Sequence, residues 1–351
     1  MSTHINLGQD AKLYGSYSKY NRSLDLKVGH NDFFFNYALP NPRGSYNMES
    51  YGARLCQNFG VNPELTVGPH VSVSKKKILI DSQKNNVQLS TAAPVNGGAG
   101  VLLTDPAYAD GEASLPIRME AAAGSQLLTN PGYTLTYTPA PWMTARLIQD
   151  YGQVRNKGPG GGHHFLRNVV DFEARRKITP GVTGVVHLQA GYMTGRQKGT
   201  GEYVSMVDGF KKGPELVRGF IPTGLGPRDN KSVESHDAIG GTKFWGASLE
   251  AVAPLHILPE QWELGPMTAS AYLDTGALWA YRGETSWTVT GETLTRADSS
   301  APRASVGLGF TWDTRWFPIH CDLAYAFKKQ PEDIPWLVNL FVSNSLLYYY
   351  L

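Results

Sequence analysis

The 351-residue sequence contains no apolar run of about 18 residues, which excludes a single helix that crosses a membrane. Charged residues make up only 18%, below the about 25% of an average soluble domain. The net charge of +2 favours neither a nucleic-acid binder nor a trap for acidic substrates. Cys56 and Cys321 are too few for a disulfide framework, so they either form one pair or are isolated small residues.

The sequence also lacks the motifs of known catalytic and metal sites. The pair His163-His164 has no cysteine or acidic residue at ligand spacing, so a loop tip is favoured over a metal pair. Gly224-Leu225-Gly226 is not followed by a helical pattern, which excludes a phosphate cradle. Lys75 to Lys77 are expected at a solvated strand end. We therefore expect no enzymatic activity, no cofactor and no bound metal.

The dominant pattern is an alternation of apolar and polar residues with period two, which predicts β-strands. No segment shows a helical period over three turns. Proline and glycine interrupt the chain every ten to twenty residues, which suits strands of about 9–11 residues. Predicted strands lie at 24–28, 49–59, 65–75, 133–137, 143–151, 172–174, 186–192, 246–250, 269–273, 304–312, 323–327 and 336–347. Predicted turns lie at 36–45, 62–63 and 157–162, and 81–111 is irregular.

The two faces of these strands differ in character. One face is apolar and ends in aromatic residues, whereas the other is polar and rich in glycine. Such strands fit a soluble sandwich or a membrane barrel whose apolar face meets lipid. Charges in the middle of strands, long strands and the lack of a linker favour one large closed membrane barrel of roughly fifteen to seventeen strands. The aromatic residues at strand ends are Tyr137, Trp245, Trp279, Trp312, Trp316 and Trp336.

A stretch from Glu215 to Asp229 interrupts the strands and is too long for an ordinary hairpin loop. Its Arg218 stands among apolar residues, and glycine and proline follow it. This pattern predicts a loop that folds back inside the strands and places Arg218 between acidic partners. Glu250 and Asp274 lie on the polar faces of the next two predicted strands, so they are the candidate partners. On the pattern alone, separate solvation of the three charges stays an equal alternative.

Several segments together resemble the BamA superfamily of outer-membrane barrel proteins. The motif that first indicates the resemblance is Val217-Arg218-Gly219-Phe220. Along the chain, the resemblance is firm from about Tyr133 to the C-terminus. It implies an all-β fold, a transmembrane antiparallel β-barrel of about 16 strands with a long loop folded into the lumen. The other matching segments are Pro131 to Tyr137, Ala238 to Thr242, Ser248 to Glu250, Leu273 to Trp279, Arg303 to Gly309 and Asp322 to Lys329.

The resemblance also implies a domain plan and a set of site residues. Residues 1–351 are expected to form one transmembrane barrel domain, in which the residues at about 209–238 fold into the lumen, with no POTRA domain ahead of residue 1. In relatives, the arginine of the loop contacts acidic residues on the inner wall. The matching residues, which we call the latch, are Val217, Arg218, Gly219, Phe220, Glu250 and Asp274.

The implied function is the folding and insertion of other β-barrel proteins into an outer membrane. It requires no covalent chemistry, because a weak seam between the first and last strands opens sideways and accepts a substrate strand. The implied partners are the outer-membrane lipid bilayer, unfolded β-barrel substrate proteins and accessory assembly lipoproteins, and no nucleic acid. A two-partner-secretion or autotransporter-assembly translocator, a passive pore and a soluble β-sandwich binding protein stay open as alternatives.

The first residues, Met1 to Leu7, lack the basic and apolar regions of a secretory signal. We expect either a truncated or unusual form of an exported protein, or a different route to the membrane. The bacterial outer membrane is the favoured location. The mitochondrial outer membrane is the alternative, since a chain without a signal peptide also fits the mitochondrial sorting-and-assembly relative.

Overall fold

The computed structural model describes residues 2–6, 12–19, 22–30, 46–80, 113–156, 162–197, 201–230, 237–255, 265–287, 292–314 and 318–342. Fourteen strands in these segments form one sheet in which neighbours in sequence pair antiparallel. In chain order the strands are β1 Ser2–Asn6, β2 Lys12–Lys19, β3 Arg22–His30, β4 Tyr46–Gly60, β5 Leu65–Ile80, β6 Gln126–Ala140, β7 Met143–Asn156, β8 His163–Thr179, β9 Val182–Gln197, β10 Arg228–Asp229, β11 Lys243–Leu255, β12 Met267–Trp279, β13 Ser286–Trp287, β14 Glu292–Thr293, β15 Arg296–Ala297, β16 Arg303–Asp313, β17 Pro318–Lys328 and β18 Val338–Val342. Of these described strands, four lie outside the large sheet, as the pairs β10–β15 and β13–β14.

The outer face of the sheet is apolar and exposed. Leu249, Leu273, Val306 and Tyr325 stand side by side on β11, β12, β16 and β17, and these residues are 45–65% exposed. Aliphatic side chains in continuous rows are costly to leave in water, so this face suits contact with lipid. The alternation that produces the two faces is the one predicted from the sequence.

The sheet curves around the segment between β9 and β11. We call the described residues of this segment, 201–230 and 237–242, the inward loop. Lys211 Nζ donates a hydrogen bond to Tyr46 Oη of β4 (2.7 Å), while the side-chain amide of Gln189 on β9 donates to the carbonyl of Glu215 (2.8 Å). The loop thus contacts strands far apart in the sheet order, which is possible because the sheet wraps around it.

Small residues on the inner face let the loop lie close to the wall. A Cβ added to Gly246 would stand only 2.4 Å from a methyl group of Leu216, so the wall has no room for a side chain there. Leu216, Val217 and Phe220 are buried in a shared apolar cluster with Leu278 of β12. The loop is therefore packed against the wall as a protein core is packed.

A nine-residue helix, α1 (Leu115–Ala123), lies between β5 and β6 and packs on the loops at one end of the barrel. Its N-cap residue, Ser114, donates its backbone N–H to Asp237 Oδ2 of the inward loop (3.0 Å). The sequence did not predict this helix. The helix has only two and a half turns, and its polar residues are buried as well as its apolar ones, so it shows no apolar face of helical period. Glu120, for example, accepts hydrogen bonds from Ser205 and Gln126. Within the described segments, no helix is both long and apolar enough to cross a membrane.

The two ends of the barrel have different connections. Short turns join β4 to β5, β6 to β7 and β8 to β9, whereas α1 and the inward loop lie at the opposite end. In the predicted turn at 62–63, Asn62 Oδ1 accepts the backbone N–H groups of Glu64 (2.9 Å) and Leu65 (2.7 Å). The predicted turn at 36–45, the irregular region 81–111, the tip at 157–161, Trp316 and the end of the last predicted strand at 343–347 lie outside the described residues.

Candidate functional site inside the barrel

Arg218 is held in place by the backbone and apolar residues around it. The N–H groups of Leu216 and Val217 both donate to the carbonyl of Gly213 (3.0 Å each), which folds the chain into a tight turn. Val217 and Phe220 are fully buried on either side of the arginine. Because these anchors fix the loop, the guanidinium of Arg218 is directed to the inner wall rather than to solvent.

Asp274 on β12 is the main partner of Arg218. Its carboxylate accepts hydrogen bonds from Arg218 Nε (2.7 Å), Nη2 (2.9 Å) and the backbone N–H (3.1 Å). This bidentate contact matches the planar guanidinium to the planar carboxylate, the strongest geometry for such a pair. The side chain of Asp274 is only 3% exposed, so the pair is largely removed from water.

β11 supplies the second acid and a hydroxyl group. Arg218 Nη1 donates to Glu250 Oε2 (3.2 Å) and Nη2 donates to Ser248 Oγ (3.1 Å). The strand register explains this arrangement, because Ser248 stands opposite Asp274 and Glu250 stands opposite Tyr272. Four inward-facing side chains thus form a compact patch on two neighbouring strands.

The ring of Tyr272 forms the floor of this patch. The guanidinium carbon of Arg218 lies 3.3 Å from the ring centroid, which is a stacked cation–π contact. Among the described residues, the Tyr272 hydroxyl has no hydrogen-bond partner. The ring rather than the hydroxyl therefore makes the contact with the arginine.

A third acid, Asp322 on β17, completes the charge of the site. Its Oδ1 lies 3.9 Å from Arg218 Nη1, and its Oδ2 lies 3.0 Å from His320 Nε2. Asp322 was not among the predicted partners of Arg218, although the alternation around Leu323 places it on the inner face. Burial alone would lower the pKa of Arg218, but the hydrogen bonds and charge of Asp274 outweigh this effect and raise it.

Gly219 has a conformation and a position that exclude other residues. Its φ is +93°, in the left-handed region that favours glycine. A Cβ at this position would also lie 3.1 Å from the Cβ of Ala324 and 3.4 Å from the Cβ of Ser305. A glycine directly after Arg218 thus lets the chain turn while it lies against β16 and β17.

The structure brings all six latch residues into one site, with Val217 and Phe220 as apolar anchors and Arg218, Glu250 and Asp274 in direct contact. Gly219 supplies the turn between them. The arrangement holds the loop to the wall through ionic, stacking and apolar contacts, all of which can break and re-form without covalent chemistry.

The interpretation of His163 as a loop tip was wrong. His163 is the first residue of β8, it is buried, and its Nε2 lies 2.9 Å from Asp208 Oδ2 of the inward loop. Lys76, predicted at a solvated strand end, is also turned inward, with its Nζ 3.6 Å from Asp208 Oδ1. Both partners lie far away in sequence, so no local pattern could show them. In the part of the chain that the structure describes, no group of three or more His, Cys, Asp or Glu could hold a metal ion.

The model of the Omp85 superfamily domain matches residues 6–341 of this chain. Among curated proteins, "Outer membrane protein assembly factor BamA" of Neorickettsia risticii (strain Illinois) is 30% identical over 233 residues. That match covers 64% of this chain and 28% of the relative, so the chain spans less than a third of the relative's length.

Solved structures with a similar fold cover most of this chain, and two of them are a BamA and a CdiB protein. BamA from Haemophilus ducreyi lacking POTRA domains 1–3 superposes with a TM-score of 0.58 at 15% identity, covering 94% of this chain and 60% of that one. CdiB from Escherichia coli gives a TM-score of 0.49 at 12% identity, covering 94% and 51%. The first of these likenesses confirms the predicted fold class, an all-β antiparallel barrel of the outer-membrane type. The match to the family model confirms the resemblance seen in the sequence.

Proposed function

Because this chain belongs to the Omp85 superfamily of outer-membrane β-barrel proteins, we propose that it folds and inserts other β-barrel proteins into an outer membrane. The observation that carries this proposal is the inward loop, held inside the barrel by Arg218 and its acidic partners. A loop fixed inside the lumen narrows the channel through which solutes could diffuse. A substrate strand would then reach lipid through an opening in the wall of the barrel rather than through the lumen.

The proposed entry point is the seam between the first and last strands of the sheet. In the described residues, β1 and β18 stand at the two ends of the strand order, so each has one paired edge and one edge at the seam. The unpaired N–H and C=O groups of an edge strand are a template on which an incoming strand can add.

We propose that the latch holds the inward loop against the wall for as long as the seam is closed. Its six residues are those already described: Val217, Arg218, Gly219, Phe220, Glu250 and Asp274. The working unit is then a single barrel, placed in the bacterial outer membrane. Its partners are the lipid bilayer, unfolded β-barrel substrates and accessory assembly lipoproteins.

Reconstitution tests the proposal. The full chain is placed in liposomes, an unfolded β-barrel substrate is added, and the rate of substrate folding is followed by its resistance to protease. The unmodified chain should accelerate folding, Arg218→Ala should lose most of the acceleration, and Arg282→Ala should keep it. Arg282 is a suitable control because it is an exposed arginine paired with Glu202 at the end of the barrel. No acceleration by the unmodified chain would refute the proposal.

The same preparation separates the alternatives. A translocator would deliver the substrate to the far side of the vesicle instead of inserting it. A passive pore would show large and steady single-channel conductance with no effect on substrate folding.

A further inference from the structure

The chain just before β18 pairs with the inward loop instead of with the wall. Trp336 donates its backbone N–H to the carbonyl of Gly219 (2.9 Å), and Ile334 donates to that of Gly224 (3.1 Å). In the opposite direction, Ile221 donates to the carbonyl of Ile334 (3.1 Å). We call these three backbone hydrogen bonds the clasp. They form a short antiparallel ladder around the bridge between Phe220 and Pro335.

The clasp ends where the last described strand begins. β17 continues to Lys328, but its pairing with β18 starts only at Leu323 and Val338. Next to this pair of residues, the described backbone makes one further hydrogen bond between the segment and the wall, from the Ala324 N–H to the Leu337 carbonyl (2.8 Å). The chain therefore passes from the loop to the wall within two residues, from Trp336 to Val338.

A buried ion pair fixes the segment at its other end. Arg303 of β16 donates to Asp333 from Nε (2.9 Å) and from Nη2 (3.1 Å), and both side chains are at most 2% exposed. Asp333 Oδ2 also accepts the backbone N–H of Gln330 (2.7 Å). Such a desolvated bidentate pair is rigid, because either charge left alone in the interior is strongly unfavourable.

Gly219 connects the clasp to the latch. It directly follows Arg218, and it accepts the hydrogen bond from Trp336, two residues before β18. A displacement of Arg218 from Asp274 moves Gly219 as well, and so pulls on the chain that leads into the last described strand. Few backbone atoms lie between Arg218 and β18 along this path. The release of Arg218 and the displacement of β18 can therefore be one structural change.

We propose that the clasp couples the inward loop to β18, so that release of the latch and separation of β18 from β17 occur as one cooperative step. Asp333, Ile334 and Trp336 are the residues that transmit the change. The meaning of this step for substrate entry rests on the proposed function. The coupling itself is a property of the folded chain and needs no substrate.

Hydrogen exchange measured by mass spectrometry tests the coupling in the full chain folded in detergent or liposomes. Asp333→Asn should speed exchange of the amides in 217–225 at least tenfold, although the substitution lies outside that segment. The neighbouring acid provides the matched control, because Glu332→Gln removes the same charge from a partly exposed side chain and should leave 217–225 unchanged.

Coupling between two sites is reciprocal, which gives a second test. Arg218→Met should speed exchange in 338–342 as well as in 217–225. Faster exchange in 217–225 alone would overturn the proposal, as would an Asp333→Asn effect confined to 333–342.

A milder variant covers the case in which Asp333→Asn does not fold. A Cβ at Gly224 would stand 2.6 Å from the carbonyl oxygen of Ile221 and 2.9 Å from that of Ile334, so Gly224→Ala strains both sides of the clasp without a change of charge. It should speed exchange in 338–342, and unchanged exchange there would refute the coupling. Neither result depends on substrate folding, so a failed reconstitution assay and a failed exchange experiment refute different proposals.

Discussion

Neutralising Asp274 should destabilise the barrel much more than neutralising Glu250, although both acids contact the same guanidinium. Asp274 accepts three hydrogen bonds from Arg218 and is nearly inaccessible to water. Removing one partner of a buried ion pair costs about 3–5 kcal/mol. Because Glu250 and Asp322 still face Arg218 in Asp274→Asn, we expect the lower end of this range, about 3 kcal/mol.

Glu250 makes one longer hydrogen bond, at 3.2 Å, and its side chain is 20% exposed. Partial exposure screens the pair, so Glu250→Gln should cost about 0.5–1 kcal/mol. The difference of about 2 kcal/mol between the two variants corresponds to roughly a thirtyfold change in the folding equilibrium. A difference of this size is large enough to measure in a membrane barrel.

Urea unfolding in liposomes, followed by the shift in gel mobility between folded and unfolded chain, measures both variants. Glu173→Gln serves as a control, because Glu173 is a wall acid whose partner Arg175 is well exposed. Equal destabilisation by Asp274→Asn and Glu250→Gln would refute the reasoning from geometry and burial. A larger effect of Glu250→Gln would refute it as well.

Three further predictions use the same preparation. Tyr272→Leu should lose about 1–2 kcal/mol of cation–π stabilisation, whereas Tyr272→Phe should be nearly neutral in urea unfolding because the ring alone contacts the arginine. Gly219→Ala should cost about 1–3 kcal/mol by the same measurement, since it forces a side chain into a left-handed conformation against the wall. Burial raises the pKa of Glu120 above its ordinary 4.5, so folding favours the protonated form and stability falls as pH rises from 4.5 through the raised value. Glu120→Gln should therefore slow hydrogen exchange in 113–123 at pH 7 but have little effect at pH 4, and an equal effect at both would contradict this.

Much of the wall could be predicted from the sequence, because a strand with lipid on one side and a lumen on the other must alternate. That alternation placed Glu250 and Asp274 on the inner face, and the apolar residues around Arg218 indicated a loop that folds inward. The same alternation also places Asp322 on the inner face, so this third acid was predictable from the sequence as well.

Other parts of the site had no local signature. The contact of His163 with Asp208 joins residues 45 positions apart, and only the folded loop brings them together. The clasp consists of backbone hydrogen bonds, which almost any residues can make, so no side-chain pattern marks Ile334 or Trp336. α1 has no amphipathic period, because several loops surround it and bury its polar positions as well.

The order of the latch partners along the chain has a consequence for how this barrel is built. Glu250 and Asp274 follow Arg218 by 32 and 56 residues and lie on β11 and β12. The loop can therefore be captured as soon as these two strands have paired, before β16, β17 and β18 take their places. Residues 334–336, which contact the loop in the clasp, come later still in the chain. This order of partners would let the C-terminal strands pair against a loop that is already in place, without the loop being threaded into a closed barrel.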